Sequence, residues 1–220
     1  MPRKVQSDKR KKQQREEGTA ADLIPSDATL DELREIAAHC QACYLWRKGT
    51  QTVFGEGPSS AKLMFVGEQP GDKEDIVGHP FVGPAGIRLD RALQEAGIDR
   101  SKVYVTNVVK HFKWIPKGNR RLNQTPRAPE IHACVPWLLA EIARIKPQIL
   151  VCLGAIAAKA LLGNDFSVSR RRGKLVKSDL APKVMATVHP SSLLRIRDEK
   201  DRHAETARFI KDLKKVTDLL

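Results

Sequence analysis

The sequence predicts an α/β fold, a three-layer α/β/α sandwich around a central, mostly parallel four-stranded sheet. Short apolar runs alternate along the chain with longer segments in which apolar residues recur at helical spacing. The runs end at a glycine or a polar side chain, as buried strands do at the rim of a sheet. Because parallel strands need crossover connections, we expect helices to cover both faces of the sheet.

The elements follow one another in a regular order. The first helix is expected to begin between Ser26 and Asp31, where apolar residues start to recur at helical spacing. The predicted strands cover Lys62–Gly67, Val103–Thr106, Gln148–Leu153 and Lys183–Val188. The further predicted helices cover Gly86–Ala96, Pro129–Ile145, an alanine-rich segment from Gly154 to Leu162, and about Glu199–Leu219.

The composition favours a polyanionic partner. The 220 residues include 39 Lys and Arg against 26 Asp and Glu, which gives a formal net charge of +13. A surplus of this size favours nucleic acid ahead of an anionic membrane surface, although a merely basic protein has the same balance. The sequence contains no run of about 18 apolar residues, so we expect no transmembrane helix. The basic N-terminus is not followed by the apolar stretch of a secretory signal. We therefore expect a cytoplasmic protein.

Residues 1–21 form a basic segment without apolar periodicity, for which we predict a disordered tail. The tail either adds nonspecific phosphate contacts or is simply solvated, and its sequence favours neither. Residues 22–220 contain no internal repeat and no second linker, so we predict a single domain and a monomer.

Three polar side chains lie just past the carboxyl ends of predicted strands, at Glu68, Asn107 and His189. Ligands bind at this edge of open α/β sheets, so the three side chains are expected to share one cleft. An Asn amide suits the Watson–Crick edge of a pyrimidine, a His stabilises charge on a leaving group, and a Glu orients water or stabilises a sugar cation. Phe81, in a loop rich in Gly and Pro, is free to stack on a base. Taken singly, each residue also has an ordinary structural explanation.

The cysteines predict a metal centre. Cys40 and Cys43 lie close enough in sequence to bind one centre, and Cys134 lies near the start of a later helix. Thiolates with this spacing suit zinc or an iron–sulfur cluster. The fourth ligand is either Cys152, which lies inside an apolar strand, or His111, which lies in a loop.

Four segments form a recognisable set: Glu68–Asp72, Pro80–Gly86, Thr106–Asn107 and His189–Leu193. Together they resemble the family 4 uracil-DNA glycosylases, which carry a 4Fe–4S cluster. The resemblance extends in the same order from Cys40 to the C-terminus. The uracil-DNA glycosylase X subgroup is the most similar, because of Gly67–Asp75 and the long basic loop Lys117–Pro126.

The resemblance implies a role for each matched position. Asn107 would read uracil, Phe81 would stack on it, and His189 would stabilise the departing uracil anion. Glu68 would support the chemistry at the sugar. Gln69 and Asp72 would line the pocket. The cluster ligands would be Cys40, Cys43, Cys134 and His111, the last at a position where other family 4 members have a cysteine, and Cys152 would be structural.

The basic loop is expected to bind DNA. Lys117, Arg120 and Arg121 would hold backbone phosphates beside an extruded nucleotide, with Ser191 as a further phosphate contact. Base chemistry inside a duplex requires extrusion of the base, so we expect single-stranded DNA to be preferred. The alternative is a solvated basic loop.

The sequence departs from the X subgroup at Asn123. In that subgroup a histidine at this position attacks the deoxyribose and traps the enzyme covalently on DNA. An amide nitrogen is a much poorer nucleophile than neutral imidazole. We therefore predict a hydrolase that releases uracil and leaves an abasic site without a stable adduct. The alternatives are a uracil-DNA binding protein with little turnover and a redox protein that uses the cluster.

Overall fold

A five-stranded sheet forms the middle layer, and its four long strands are parallel. The computed structural model describes residues 18–220. The strands of the sheet are β1 Leu63–Gly67, β2 Val103–Asn107, β5 Ile149–Leu153, β6 Leu175–Val176 and β7 Lys183–Thr187. They lie in the order β2-β1-β5-β7-β6, and only the two-residue β6 is antiparallel. The four predicted parallel strands are confirmed, whereas β6 is too short to leave a sequence pattern.

Helices cover both faces of the sheet, which confirms the predicted three layers. Alternate residues of each long strand face opposite sides, because side chains alternate along a strand. The helices are α1 Leu30–Ala38, α2 Asp72–Val77, α3 Pro84–Glu95, α4 Ala128–Ile145, α5 Ala155–Leu162, α6 Val168–Arg171, α7 Pro190–Leu194 and α8 Glu199–Thr217. Helices α1, α4 and α5 pack on one face, and helices α3, α7 and α8 pack on the other.

The described part of the chain begins inside the predicted N-terminal tail. Of the tail predicted for residues 1–21, only residues 18–21 fall within the described part of the chain. Residues Ala20–Leu23 form a 3-10 turn, and Ala20 is fully buried in the core layer that contains α4. In residues 18–220, no helix is long and apolar enough to cross a membrane.

The segment predicted as a basic loop is a β-hairpin. Its strands β3 (Trp114–Lys117) and β4 (Arg120–Asn123) pair antiparallel, with Trp114 opposite Asn123. Gly118, at the turn, has a φ of 55°, in the left-handed region that glycine adopts without strain. The hairpin was missed because its two four-residue strands lack the alternation of apolar and polar residues that marks a half-buried strand.

The loop between α2 and α3 holds Phe81 in an unusual conformation. Phe81 has a φ of 59°, which is uncommon for a residue with a Cβ, and its side chain is buried. The loop is held in place by Glu74, whose Oε1 accepts a 3.0 Å hydrogen bond from the backbone N–H of Gly83. Helix α3 packs closely against the loop at Gly86. A Cβ added to Gly86 would lie 1.6 Å from the carbonyl oxygen of Phe81, so only glycine fits there.

We expect Gly86→Ala to displace Phe81 and to lower the free energy of unfolding by about 3 kcal/mol, because the added methyl group overlaps backbone that cannot yield. Urea denaturation measures the loss. Gly18→Ala is the control, since a methyl group there meets no atom within 4 Å. Equal stability of the two variants would contradict this account of the loop.

Candidate active site

Three of the predicted site residues meet in the space above Gly67, the last residue of β1. A Cβ placed on Gly67 would lie 2.3 Å from Asn107 Oδ1, 2.7 Å from Phe81 Cζ and 3.4 Å from His189 Nε2. Gly67 pairs with Asn107 on the neighbouring strand, so the backbone itself brings the amide to this point. The Phe81 and His189 rings lie 6.2 Å apart and are inclined by 28°. The missing side chain of Gly67 thus leaves a small cleft lined by an amide, a phenyl ring and an imidazole.

The hydrogen bonds of His189 define its tautomer. The backbone N–H of Ser191 donates to His189 Nδ1 at 3.2 Å, and Ser191 Oγ lies 2.9 Å from the same nitrogen. Burial lowers the pKa of His189 to about 4, and the positive charge of Arg195 acts in the same direction. The imidazole is therefore neutral near pH 7. Since Nδ1 accepts a hydrogen bond, its proton is on Nε2, the nitrogen that faces the space above Gly67.

The Asn107 amide is free within the cleft. Asn107 is 3% exposed, and within residues 18–220 no hydrogen bond engages its side-chain amide. Its donor and acceptor are therefore available to a ligand. Glu68 follows Gly67 directly in the chain, where burial raises the pKa of its carboxyl group and the charge of Arg195 opposes that shift. The cleft thus combines a free amide with a neutral imidazole donor, and a partly desolvated carboxyl group belongs to the next residue along the chain.

Gln69 joins the cleft to the hairpin. Its Nε2 donates to Asn123 Oδ1 and to the carbonyl oxygen of Gln124, both at 3.0 Å. Its Oε1 accepts from the backbone N–H of Lys113 at 3.1 Å. Gln69 was expected to line the pocket, and the structure places its side chain against both strands at the base of the hairpin. Asn123 is consequently held next to the segment that follows β1.

Arg121 anchors the hairpin to α2. Its Nε lies 2.5 Å from Asp72 Oδ1 and its Nη1 lies 2.6 Å from Asp75 Oδ2, and Asp75 is fully buried. The guanidinium also lies 5.4 Å from the ring centre of Phe112 and 5.5 Å from that of Trp114. Arg121 was predicted to bind phosphate and Asp72 to line the pocket. In the structure the two side chains bind each other.

The other predicted phosphate contacts have different surroundings. Lys117 and Arg120 are exposed near the tip of the hairpin, and in the part of the chain that the structure describes neither forms an ion pair. Ser191 contacts His189 and also lies 3.4 Å from Arg195 Nη1 through its hydroxyl oxygen. The hairpin tip therefore offers two cations to an anionic partner, while Ser191 supports the imidazole.

Three of the predicted metal ligands form a buried thiol cluster, comprising Cys40, Cys43 and Cys134. The pKa of Cys134 is raised to about 12, chiefly by burial, with smaller upward contributions from the neighbouring Cys43 and Cys40 and against the opposing charge of Lys110. Two of the sulfurs accept hydrogen bonds. The backbone N–H of Lys110 donates to Cys134 Sγ and Trp137 Nε1 donates to Cys40 Sγ, both at 3.2 Å. N–H donors directed at sulfur stabilise thiolates bound to iron.

The donor set of this thiol cluster bears on what it could hold. Across residues 18–220, no group of three or more His, Cys, Asp or Glu side chains is arranged to hold a metal ion. Cys thiolates that accept N–H hydrogen bonds are nevertheless the donors that iron–sulfur clusters use. The buried thiols and their N–H donors therefore fit an iron–sulfur cluster.

His111 and Cys152, the two candidates for the fourth ligand, differ in their surroundings. His111 follows Lys110, whose backbone N–H binds Cys134, and its Nε2 lies 3.0 Å from Thr52 Oγ1. Burial lowers the pKa of His111 to about 4 against the opposing charge of Asp75, so the ring is neutral, as a metal ligand must be. Cys152 lies in the middle of the sheet, and burial alone raises its pKa to about 12.

Sequence reasoning missed several residues that organise the site. The carboxylates of Glu74 and Asp75 look like the solvated charges of a short helix, yet both are buried and bind the Phe81 loop and Arg121 respectively. Arg195 lies close enough to act on the pKa of both Glu68 and His189. The sequence carries no local signal for these roles, since each depends on contacts between distant segments.

The chain is similar in sequence to several known proteins. A profile of the uracil DNA glycosylase superfamily matches residues 54–214. A type-4 uracil-DNA glycosylase of Thermotoga maritima is 42% identical over 179 residues, which cover 79% of this chain and 90% of that protein. One from Sulfurisphaera tokodaii is 39% identical over 174 residues, 76% of each chain. One from Archaeoglobus fulgidus is 37% identical over 171 residues, 74% of this chain and 82% of its own. The chain therefore belongs to the uracil-DNA glycosylase superfamily, among its type-4 members.

Proposed function

We propose that this protein excises uracil from DNA by hydrolysing the N-glycosidic bond of deoxyuridine, leaving free uracil and an abasic site. The convergence of Asn107, Phe81 and His189 above Gly67 is the observation that carries the proposal. Together these groups supply an amide that reads a base edge, a ring that stacks on a base, and a hydrogen-bond donor for a leaving anion. The family of the chain supports the same activity.

In the proposed reaction the bond between the sugar and the base breaks first. Its electron pair leaves with uracil, and the His189 Nε2–H donates to the negative charge that develops on the base. The carboxylate of Glu68 faces the sugar cation and orients water. The water oxygen then bonds to the sugar carbon and loses a proton to Glu68. This proton passes through solvent to the uracil anion and neutralises it.

The hairpin supplies the proposed contacts with the DNA backbone. The exposed Lys117 and Arg120 would bind phosphates, and Arg121 would hold the hairpin at the correct distance by binding Asp72 and Asp75. Ser191 would position His189 and contact a phosphate beside it. Extrusion of a base costs least in single-stranded DNA, which we propose as the preferred substrate of a monomeric enzyme.

We propose Cys40, Cys43, Cys134 and His111 as the ligands of a 4Fe–4S cluster. These residues come from the segment after α1, from α4 and from the loop after β2. When bound, the cluster would serve as a structural cross-link between those segments. The buried thiols and the N–H donors to Cys134 and Cys40 support this assignment.

We further propose that the chain is related to the X subgroup but does not trap itself on DNA. The basic hairpin supports the relation, and Asn123 supports the loss of trapping, because an amide nitrogen has little nucleophilicity. A uracil-DNA binding protein with little turnover is the second candidate. It is favoured by the basic hairpin, because the resemblance to the X subgroup implies retention of the product at the cost of turnover.

Incubation with uracil-containing single-stranded DNA tests both candidates. We expect free uracil in molar excess over protein and no shifted band on a denaturing gel. Asn123→His is the matched variant. It restores an imidazole at the same position and is expected to produce a heat-stable covalent band. A heat-stable band from the unchanged protein, or release of no more than one uracil per chain, would contradict hydrolytic turnover.

We expect kcat/KM to stay constant as the pH falls from neutral and to decline only in the acidic range. The neutral imidazole of His189 persists until the pH approaches its folded-state pKa of about 4. The raised pKa of Glu68 sets the start of the decline. The pH profile of uracil release measures this, with circular dichroism at each pH as a check of folding. An inflection near pH 6.5 that is absent in His189→Gln would show an unshifted imidazole instead.

Iron and acid-labile sulfide assays distinguish the candidates for the fourth ligand. We expect His111→Ala to lose most of its iron, because it removes a proposed ligand, and Cys152→Ser to retain it. Loss of iron in Cys152→Ser with full retention in His111→Ala would reverse the assignment.

Arg120→Ala and Arg121→Ala are expected to have different effects. Arg120→Ala should lower the slope of log Kd against log salt concentration by about one, because it removes one phosphate contact. Its free energy of unfolding should be unchanged. The second leaves the buried Asp75 without its cation, and we expect a loss of about 2 kcal/mol in the free energy of unfolding. Fluorescence anisotropy over a salt series and urea denaturation measure the two effects. Similar results for both variants would contradict the division of roles.

A further inference from the structure

A charged pair that the proposed reaction does not use is buried directly below the cleft. The side chain of Lys110 is 1% exposed and that of Glu141 is 0% exposed, and Lys110 Nζ lies 2.5 Å from Glu141 Oε2. Lys110 Nζ also donates to Thr106 Oγ1 at 2.6 Å and to the carbonyl oxygen of Asn107 at 2.8 Å. An ammonium group has three donors, and all three are used here.

The partner of Lys110 is equally well bound. Glu141 Oε1 accepts hydrogen bonds from the backbone N–H of Gly55 at 2.9 Å, from the hydroxyl of Tyr104 at 3.0 Å and from that of Thr106 at 3.0 Å. Burying two charges is costly, and well-packed apolar residues often replace such pairs without loss of stability. Stability alone therefore does not account for a buried ion pair at this place.

The pair acts on the backbone that carries the Asn107 amide. The backbone after Asn107 is hydrogen-bonded to the end of the neighbouring strand β1. Val108 N–H donates to the carbonyl oxygen of Gly67 and Val109 N–H donates to that of Glu68, both at 3.0 Å. Lys110 Nζ binds the carbonyl oxygen of Asn107 itself. Because the Asn107 side chain makes no hydrogen bond of its own within residues 18–220, its direction depends on this backbone.

Helix α4 holds Lys110 at two points. Glu141 binds its side chain, and Cys134 Sγ accepts a 3.2 Å hydrogen bond from its backbone N–H. Glu141 and Cys134 both belong to α4, so a single rigid element fixes both ends of the residue. The loop from Asn107 to Lys110 therefore has little freedom to shift relative to the sheet.

We propose that Lys110 is a positioning residue for base recognition, which orients the Asn107 amide through its carbonyl group, and that Glu141 holds Lys110 in that role. The inference rests on the proposed uracil excision. It assigns no contact between Lys110 and the substrate, because the side chain lies beneath the backbone of the cleft and is shielded from it.

The test uses the paired substitution Lys110→Met with Glu141→Gln, which removes both charges together and leaves neither buried without its partner. The Gln retains one side-chain oxygen that can accept the hydrogen bonds which Gly55, Tyr104 and Thr106 donate to Glu141 Oε1. We expect this variant to fold, as judged by urea denaturation, and to lose about 100-fold in kcat/KM on uracil-containing DNA, as misplaced recognition groups do. Tyr104→Phe is the matched control. It removes one hydrogen bond to Glu141 without touching Lys110, so we expect lower stability with unchanged uracil release.

A double-mutant cycle with Asn107→Ala separates positioning from a general structural role. If Lys110 acts through Asn107, the paired substitution costs less than about threefold in kcat/KM once the amide is absent. Inhibition by free uracil gives a second readout, expected to weaken at least tenfold in the paired variant. Full activity in the folded paired variant, an equal loss with and without Asn107, or unchanged uracil inhibition would overturn the inference. Absence of uracil release by the unchanged protein would instead overturn the proposed function.

Discussion

The cleft exists because Gly67 has no side chain at the point where β1 ends. Even a methyl group there would meet Asn107, Phe81 and His189. These three groups come from three different strand ends or loops, and each is fixed by contacts outside the cleft. Asn107 is placed by strand pairing, Phe81 by a loop closed onto Gly86, and His189 by the first turn of α7. The space above one glycine thus determines which groups line the cleft.

Buried charge is the second constraint on the site. Asp75 and Glu141 are fully buried, and each carboxylate gathers donors from segments far apart in the chain. An uncompensated buried charge is costly, so such networks have one well-defined arrangement. Asp75 ties the hairpin to α2, and Glu141 ties Lys110 to α4. The hairpin and the strand that carries Asn107 are therefore held by electrostatics as well as by packing.

Much of the fold could be predicted because its signals are local. The four parallel strands are apolar runs that end at Gly or polar residues, and the long helices have apolar residues at helical spacing. The exceptions have physical reasons. Helix α3 begins at Pro84 rather than Gly86 because proline favours the first turn. The hairpin and β6 lack an apolar pattern, since the first is largely exposed and the second spans two residues.

The sequence by itself determined the layer order, the strand ends and the residue types that could form a site, because hydrophobic periodicity and strand termination are properties of short segments. It also identified Glu68, Asn107, Phe81 and His189 as candidates. Only the tertiary structure decided how the site residues and their neighbours are paired and oriented. It showed the Nε2–H tautomer of His189, paired Arg121 with Asp72 and Asp75, and placed Lys110 beneath Asn107, because these properties depend on burial and on contacts between segments that are distant in the chain.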